Sequence, residues 1–213
     1  MSGQRSTEPA PGAGDDPVPA SLSEARRLAA ACTRCPLYRN ATQTVFGEGP
    51  AGARLLLVGE QPGDREDIAG RPFVGPAGAV LDRALEAAGI KRADVFVTNA
   101  VKHFKFAQRG KRRLHKKPDA GEIDACRWWL DLELRFVAPA VVVAMGATAL
   151  RGVLGRTTSV SSLRDKVTPL DGNRSLVATV HPSYLLRVPD RDRAEAEYLR
   201  FVADLERARR AAA

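Results

Sequence analysis

The sequence has few cysteines and no long hydrophobic run, and both shortages restrict the possible functions. It contains three cysteines, an odd number that suits metal ligation or buried thiols better than a disulfide framework. No apolar run is long enough to span a bilayer, and the N-terminus lacks the hydrophobic segment of a signal peptide. We therefore expect a cytoplasmic protein with no membrane partner.

The charge balance is basic. Lys and Arg total 33 against 25 Asp and Glu, a net charge of +8. Such an excess favours a polyanionic partner, nucleic acid first, although solvated lysines and arginines on any soluble protein give the same total. Residues 1–20 are rich in Pro, Gly, Ser and acids, and we predict a disordered tail there. The remaining chain suits a single domain at residues 21–210.

Four apolar segments rich in β-branched residues are predicted to be strands buried on both faces. They are residues 53–60, 94–101, 139–146 and 174–182. Helical patterns separate them, with apolar stripes at 80–88, 123–137 and 194–205. Asp119, with Glu122 three residues on, is the predicted N-cap of the second of these helices. The alternation predicts an α/β fold, a three-layer α/β/α sandwich with a four-stranded parallel sheet.

Polar residues follow the end of each predicted strand. Because ligands of such sheets bind beyond the carboxyl ends of the strands, these residues are the candidate site. They are Gly59 to Gly63, Thr98 and Asn99, Met145 and Gly146, and His181 to Tyr184.

The cysteines suggest a metal site. Cys32 and Cys35 form a C-x-x-C pair, a spacing at which two thiolates bind one metal atom or one cluster. A redox pair is disfavoured, because the pair follows a predicted helix rather than opening one. Cys126 and His103 are the candidate third and fourth ligands, although Cys126 lies on a buried stripe and serves equally well as a small core residue.

The segment "GEQPGDREDIAGRPFVGPAG" (59–78) is a Gly/Pro-rich loop that lacks the Lys-Ser/Thr pair of a P-loop and the spacing of a dinucleotide fingerprint. Phe73 in this loop either stacks on a base or fills the core. Asn99 offers a donor and an acceptor to a pyrimidine edge, or caps a turn. His181 in "HPSYLL" stabilises charge on a leaving base, contacts phosphate, or bonds nearby backbone.

A single histidine lies inside the basic run "KRRLHKKP" (111–118). The surrounding positive charges oppose protonation of His115 and favour a neutral, nucleophilic imidazole. The alternative is a solvated basic loop or a general DNA contact.

Four segments, taken in order, resemble the motifs of one family. "GEQPGDRED", "GRPFVGPAG", "TNAVKH" and "HPSYLL" are similar to the motifs of uracil-DNA glycosylases, most of all the iron–sulfur branch called family 4. The resemblance extends from Leu22 to Leu205 and implies a uracil-DNA glycosylase-like fold. It also implies excision of a flipped uracil from DNA, single strands included. The implied uracil-binding residues are Gly59, Gln61, Phe73, Asn99 and His181.

Two departures from that branch resemble the subgroup known as UdgX. His103 stands where the branch has a cysteine, which implies a [4Fe-4S] cluster held by Cys32, Cys35, His103 and Cys126. An insertion, "QRGKRRLHKK" (108–117), lies within a predicted basic loop at 105–118, and Gln61 follows Glu60. In that subgroup the loop histidine becomes covalently joined to DNA after uracil is released.

The resemblance to UdgX therefore implies the catalytic residues His115, Glu60 and His181. Basic residues around His115 are expected to bind phosphates: Arg109, Lys111, Arg112, Arg113, Lys116 and Lys117. Two other functions remain open: a multiple-turnover glycosylase in which His115 only contacts DNA, and a non-catalytic iron–sulfur protein that binds uracil or abasic DNA. A zinc site in place of the cluster is a further alternative, and we expect a monomer.

Overall fold

A central five-stranded sheet with helices on both faces forms the framework of the protein, as seen in a computed structural model that describes residues 18–213. The strands of this sheet follow the order β2-β1-β5-β7-β6. Their bounds are Leu55–Gly59 (β1), Val95–Asn99 (β2), Val141–Met145 (β5), Val167–Asp171 (β6) and Arg174–Thr179 (β7). Most of the predicted tail, residues 1–17, lies outside the described residues, and its boundary stays a prediction.

The four strands predicted from apolar runs are confirmed as β1, β2, β5 and β7. They pair in parallel, and β1, β2 and β5 are buried along their whole length. Parallel pairing brings their carboxyl ends to one edge, with Gly59 opposite Asn99 in the register. The candidate residues at the strand ends therefore meet at that edge, as the sequence predicts.

The prediction of four strands is corrected by β6. This strand pairs antiparallel with β7 at the edge of the sheet, and its residues alternate between exposed and half-buried. It carries Pro169, which edge strands tolerate because one side of their backbone faces solvent. Only one face of β6 packs against the protein, so its sequence alternates and contains no continuous apolar run that would predict a strand.

Helices cover the two faces of the sheet. On one face α3 (Pro76–Ala87) and α8 (Arg191–Ala212) pack against the alternate strand residues, and on the other α4 (Ala120–Val137) and α5 (Ala147–Leu154) do so. A third cluster joins α1 (Leu22–Ala29) to α4. The short helices are α2 (Asp64–Ala69), α6 (Val160–Leu163) and α7 (Pro182–Leu185). No helix in the described part of the chain is long and apolar enough to cross a membrane.

The start of α4 confirms the predicted capping box. The side chain of Asp119 accepts a hydrogen bond from the Glu122 amide at 3.0 Å, and the Glu122 carboxylate accepts one from the Asp119 amide at 2.8 Å. Each side chain thus satisfies an amide that the first turn leaves without a partner.

The predicted basic loop at 105–118 is instead built around a β-hairpin. Its strands are β3 (Phe106–Arg109) and β4 (Arg112–His115), joined by a two-residue turn in which Gly110 has a φ of +59°. That left-handed conformation is one that glycine adopts at no steric cost. The hairpin pairs His115 with Phe106 and so places the histidine at its base, next to the sheet edge.

Candidate active site

A cavity of about 700 Å³ opens at the carboxyl edge of the parallel strands. The loop after β1, the end of β2, the hairpin and the segment after β7 all contribute to it. Seven of the predicted catalytic, uracil-binding and DNA-binding residues line it: Glu60, Gln61, Phe73, Asn99, His115, Lys117 and His181. Residues from four separate strand ends thus share one cavity.

The side chains of Asn99, Phe73 and His181 converge on Gly59. A Cβ atom here would overlap the side-chain oxygen of Asn99 and would lie 2.6 Å from the ring of Phe73. It would also lie 3.3 Å from Nε2 of His181. Only glycine at this position lets the three side chains approach one another.

Phe73 is held in a strained conformation beside this point. Its φ is +56°, a value that a bulky side chain rarely adopts, and its ring stacks on His181 with centroids 6.1 Å apart. The buried carboxylate of Glu66 fixes the loop by accepting hydrogen bonds from the amides of Gly63 (3.1 Å) and Gly75 (2.7 Å). The ring of Phe73 therefore lines the cavity on one side and packs against the hydrophobic core on the other.

His181 is arranged as a neutral hydrogen-bond donor. Its Nδ1 accepts from the backbone amide of Ser183 at 3.2 Å, so the proton of the neutral ring lies on Nε2. That Nε2 is buried and has no partner among the described residues. Burial lowers the pKa of His181 to about 4, against the opposing attraction of Glu60. A neutral N–H is thereby available to a ligand in the cavity.

Glu60 and His115 are in contact at the mouth of the cavity. Oε1 of Glu60 lies 3.2 Å from Nε2 of His115, and Oε2 accepts a hydrogen bond from the Thr148 hydroxyl at 2.7 Å. Burial raises the pKa of Glu60, but the hydrogen bonds from His115 and Thr148 outweigh it and hold this pKa below its ordinary value. An ionised carboxylate facing an imidazole orients the ring and accepts its proton.

Gln61 anchors the base of the hairpin. Its side-chain nitrogen donates to the carbonyls of Lys105 (3.1 Å) and Lys116 (3.0 Å), and its oxygen accepts from the Lys105 amide at 3.0 Å. The side chain is thus fully engaged, and a uracil contact from Gln61, predicted from the sequence, would have to come from its main chain. The side-chain amide of Gln61 thus holds together the two ends of the hairpin that carries His115.

Arg113 differs from its predicted role as a phosphate contact. Its guanidinium pairs with the carboxylates of Asp64 and Asp67, each at 2.5 Å, and lies over the rings of Phe104 and Phe106. Only 18% of its side chain is exposed. Since Arg113 is already paired, it fastens the hairpin to α2. The other predicted phosphate contacts are exposed: Arg109, Lys111, Arg112, Lys116 and Lys117.

The three cysteines are buried and reduced in one core cluster between α1 and α4. Trp129 Nε1 donates to Sγ of Cys32 at 3.0 Å, and the Lys102 amide donates to Sγ of Cys126 at 3.2 Å. Burial raises the pKa of the Cys126 thiol to about 12 and also raises that of Cys35. Thiols this deeply buried become thiolates when a metal binds them.

His103, the remaining predicted ligand, follows directly after Lys102. Its Nε2 lies 2.9 Å from the Thr44 hydroxyl, and its Nδ1 is buried without a partner in the described structure. Burial lowers the pKa of His103 and favours the neutral imidazole that metals bind. Across residues 18–213 no three His, Cys, Asp or Glu side chains are grouped to hold a single metal ion. The case for an iron–sulfur cluster therefore rests on donor chemistry, since three thiols and one neutral imidazole are donors of the kind that bind iron.

A buried ion pair that the sequence analysis missed lies between these two sites. Nζ of Lys102 contacts the Glu133 carboxylate at 2.6 Å, and both side chains are fully buried. The same ammonium donates to the Thr98 hydroxyl at 2.6 Å and to the Asn99 carbonyl at 2.8 Å. Apart from its place in "TNAVKH", no sequence signal marks Lys102, because its partner Glu133 is 31 residues away.

Comparison with known proteins agrees with this geometry. The chain is 41% identical to a type-4 uracil-DNA glycosylase of Thermotoga maritima over 159 residues, 73% of this chain and 78% of the relative. It is 34% identical to a type-4 uracil-DNA glycosylase of Pyrobaculum aerophilum over 79% of this chain and 86% of the relative. A type-4 uracil-DNA glycosylase of Archaeoglobus fulgidus is 30% identical over 84% of this chain and 90% of its own length. The sequence profile of the uracil DNA glycosylase superfamily matches residues 46–206, and the chain belongs to that superfamily.

Proposed function

We propose that this protein excises uracil from DNA and then becomes covalently joined, through His115, to C1′ of the abasic sugar. The observation that carries the proposal is the 3.2 Å contact between Glu60 and His115, both of which line the cavity. An ordinary hydrolytic glycosylase activates water at C1′. Here an imidazole already paired with a carboxylate occupies the approach to the cavity.

Recognition begins with a flipped nucleotide, since uracil is not accessible inside a base stack. The ring of Phe73 stacks on the base, and the side-chain amide of Asn99 bonds its polar edge. Asn99 and Phe73 meet above Gly59, which leaves the cavity floor open to a planar ring. Four features support this assignment: the burial of Asn99, the strained backbone of Phe73, the lack of a Cβ at position 59 and the shared cavity.

Bond cleavage places charge on uracil and on the sugar. The C1′–N1 bond breaks with its electron pair on uracil, which leaves an oxocarbenium-like sugar. The free Nε2–H of His181 donates to the departing base and stabilises its negative charge. The carboxylate of Glu60 stabilises the cationic sugar, because it stays ionised next to the reaction centre.

Covalent capture follows from the same arrangement. The ring nitrogen of His115 that faces Glu60 carries a proton, and the lone pair of the other ring nitrogen attacks C1′. The resulting imidazolium gives its proton to Glu60, which passes it to the uracil anion. One C–N bond breaks and one forms, and the products are uracil and a protein–DNA adduct. Because His115 stays bonded to C1′ and is not regenerated, the protein acts once.

Phosphates on either side of the abasic sugar bind the hairpin. Its five exposed cations lie along the hairpin and just after it, and within residues 18–213 none has the carboxylate partners that engage Arg113: Arg109, Lys111, Arg112, Lys116 and Lys117. Contacts of this kind hold the backbone without reading sequence and weaken as salt rises. This behaviour suits a protein that finds uracil in any sequence, in single strands as well as in duplexes.

Cys32, Cys35, His103 and Cys126 would hold a [4Fe-4S] cluster, which supplies a structural cross-link rather than electron transfer. This ligand set joins the segment after α1, the turn after β2 and helix α4. His103 directly precedes the hairpin segment, so its ligation would fix the hairpin's point of origin. The histidine ligand, the inserted hairpin and Gln61 together favour the UdgX subgroup.

A denaturing gel tests the covalent proposal. A uracil-containing single-stranded oligonucleotide is incubated with the protein and with His115→Ser, and both are boiled before loading. The proposal predicts a slower, heat-resistant band with the wild type only, and free abasic product with the variant. Many abasic products per protein without a shifted band would instead show a multiple-turnover glycosylase. No product of either kind would show a non-catalytic binder.

A further inference from the structure

The hydrogen bond between Thr148 and Glu60 goes beyond the residues that the sequence motifs single out. Glu60 divides its two oxygens between two partners: Oε1 faces His115 at 3.2 Å, and Oε2 accepts from the Thr148 hydroxyl at 2.7 Å. A carboxylate held at one oxygen has lost its freedom to rotate. The orientation of the other oxygen is therefore fixed by Thr148.

The fold places Thr148 at this position rigidly. β5 ends at Met145, Gly146 turns the chain with a φ of +96°, and α5 begins at Ala147. The Gly146 amide donates to the Thr179 carbonyl at 2.8 Å, which ties the turn to β7. The Thr148 side chain is buried, with 3% exposure, so water does not replace it as a partner for Glu60.

The hydrogen bond also has a direction. The Thr148 hydroxyl donates, which favours the ionised carboxylate over the neutral acid. An ionised Glu60 with one oxygen restrained presents a single acceptor to the imidazole. This is the state that holds the His115 ring in place and takes up its proton.

We propose that Thr148 is a positioning residue that directs the Glu60 carboxylate at His115 and so favours attack by the imidazole over attack by water. The inference rests on the proposed covalent function and adds a residue on α5 to it. Without the hydroxyl, Glu60 rotates, His115 loses its orientation, and water reaches the cationic sugar more often. The quantity that changes is the ratio of adduct to free abasic DNA.

The chain offers closely matched variants for a test. Thr148→Val removes the hydroxyl with little change of shape, and Thr148→Ser keeps it. Thr179→Val is the control, because the Thr179 hydroxyl donates to the buried carboxylate of Asp204 at the same distance, 2.7 Å. That second hydrogen bond faces α8, on the opposite side of the sheet from α5.

The experiment measures adduct and free abasic product together, on a denaturing gel after alkaline cleavage of unprotected abasic sites. We expect Thr148→Val to lower the ratio of adduct to free product about tenfold, the effect of losing one hydrogen bond to a charged group. Thr148→Ser and Thr179→Val should keep the wild-type ratio. A variant that merely folds less well loses both products in proportion and leaves the ratio unchanged.

Three results would overturn the inference: an unchanged ratio in Thr148→Val, an equal fall in Thr148→Ser, or an equal fall in Thr179→Val. Each of these leaves the covalent function standing, because the wild type still forms the adduct. A wild type that forms no adduct at all refutes the covalent function itself, and the positioning role with it. The two failures are therefore distinguished in the same gel.

Discussion

Removal of the Lys102 ammonium should destabilise the protein strongly. Lys102→Met leaves the Glu133 carboxylate charged in a fully buried position and removes donors to the Thr98 hydroxyl and the Asn99 carbonyl. Breaking a buried ion pair from one side costs about 3–5 kcal/mol. For a chain of this size, this corresponds to a fall in Tm of roughly 10 °C.

The assay is urea unfolding of the protein as purified, followed by circular dichroism at constant protein concentration. Lys105→Met is the matched control, because Lys105 also pairs with a glutamate of α4, Glu122, but is 26% exposed. Its loss should cost less than about 1 kcal/mol. The double variant Lys102→Met/Glu133→Gln removes both charges and should recover part of the lost stability. A Lys102→Met variant as stable as Lys105→Met would show that the buried ion pair does not stabilise the fold.

Four further predictions concern the hairpin, the salt response, pH and the cluster. Gln61→Leu removes three hydrogen bonds at the hairpin base, so trypsin should cleave within residues 109–117 several times faster than in the wild type, whereas Gln108→Leu should change this rate little. Lys117→Gln should lower the slope of log affinity against log salt by about one, measured by fluorescence anisotropy on a uracil-free strand; an unchanged slope would place Lys117 away from phosphate. Burial lowers the pKa of His181 to about 4 in the folded protein, so as pH falls the imidazole is protonated in the unfolded chain before it is protonated in the folded one. The free energy of unfolding therefore falls as pH drops from about 6.5 to 4. His181→Gln should remove up to about 3 kcal/mol of that fall in urea titrations, and an identical pH dependence in both proteins would contradict this. Removal of the proposed cluster should expose residues 103–126 to proteolysis, and an unchanged digestion pattern would exclude the structural cross-link.

The sequence predicts the elements whose signal is local. The four buried strands are continuous apolar runs, and the capping box of α4 is predicted by the spacing of Asp119 and Glu122. Glu60, Phe73, Asn99 and His181 share the cavity because parallel strands bring their carboxyl ends together, a rule that needs no coordinates. The fold and the position of the site follow from these patterns.

What the sequence does not show depends on partners that are distant in the chain. Arg113 reads as one more cation in a basic run, yet its guanidinium binds Asp64 and Asp67, 49 and 46 residues away. Gln61 reads as a base contact, yet its amide bonds two hairpin carbonyls. Thr148 lies just beyond Met145 and Gly146, a strand end that the sequence marks, but its contact with Glu60 spans 88 residues. The sequence shows which side chains are charged or polar. Only tertiary contacts show which of them are already paired within the protein and which remain available to a ligand.

Mass spectrometry of the adduct shows whether His115 is the residue that is joined to DNA. The protein is incubated with a uracil-containing oligonucleotide, digested with nuclease and trypsin, and the modified peptide is sequenced. We expect a deoxyribose remnant on His115, in the tryptic peptide Leu114 to Lys116, and free uracil in equal amount. A remnant on any other residue, or uracil released in large excess over modified protein, would contradict it.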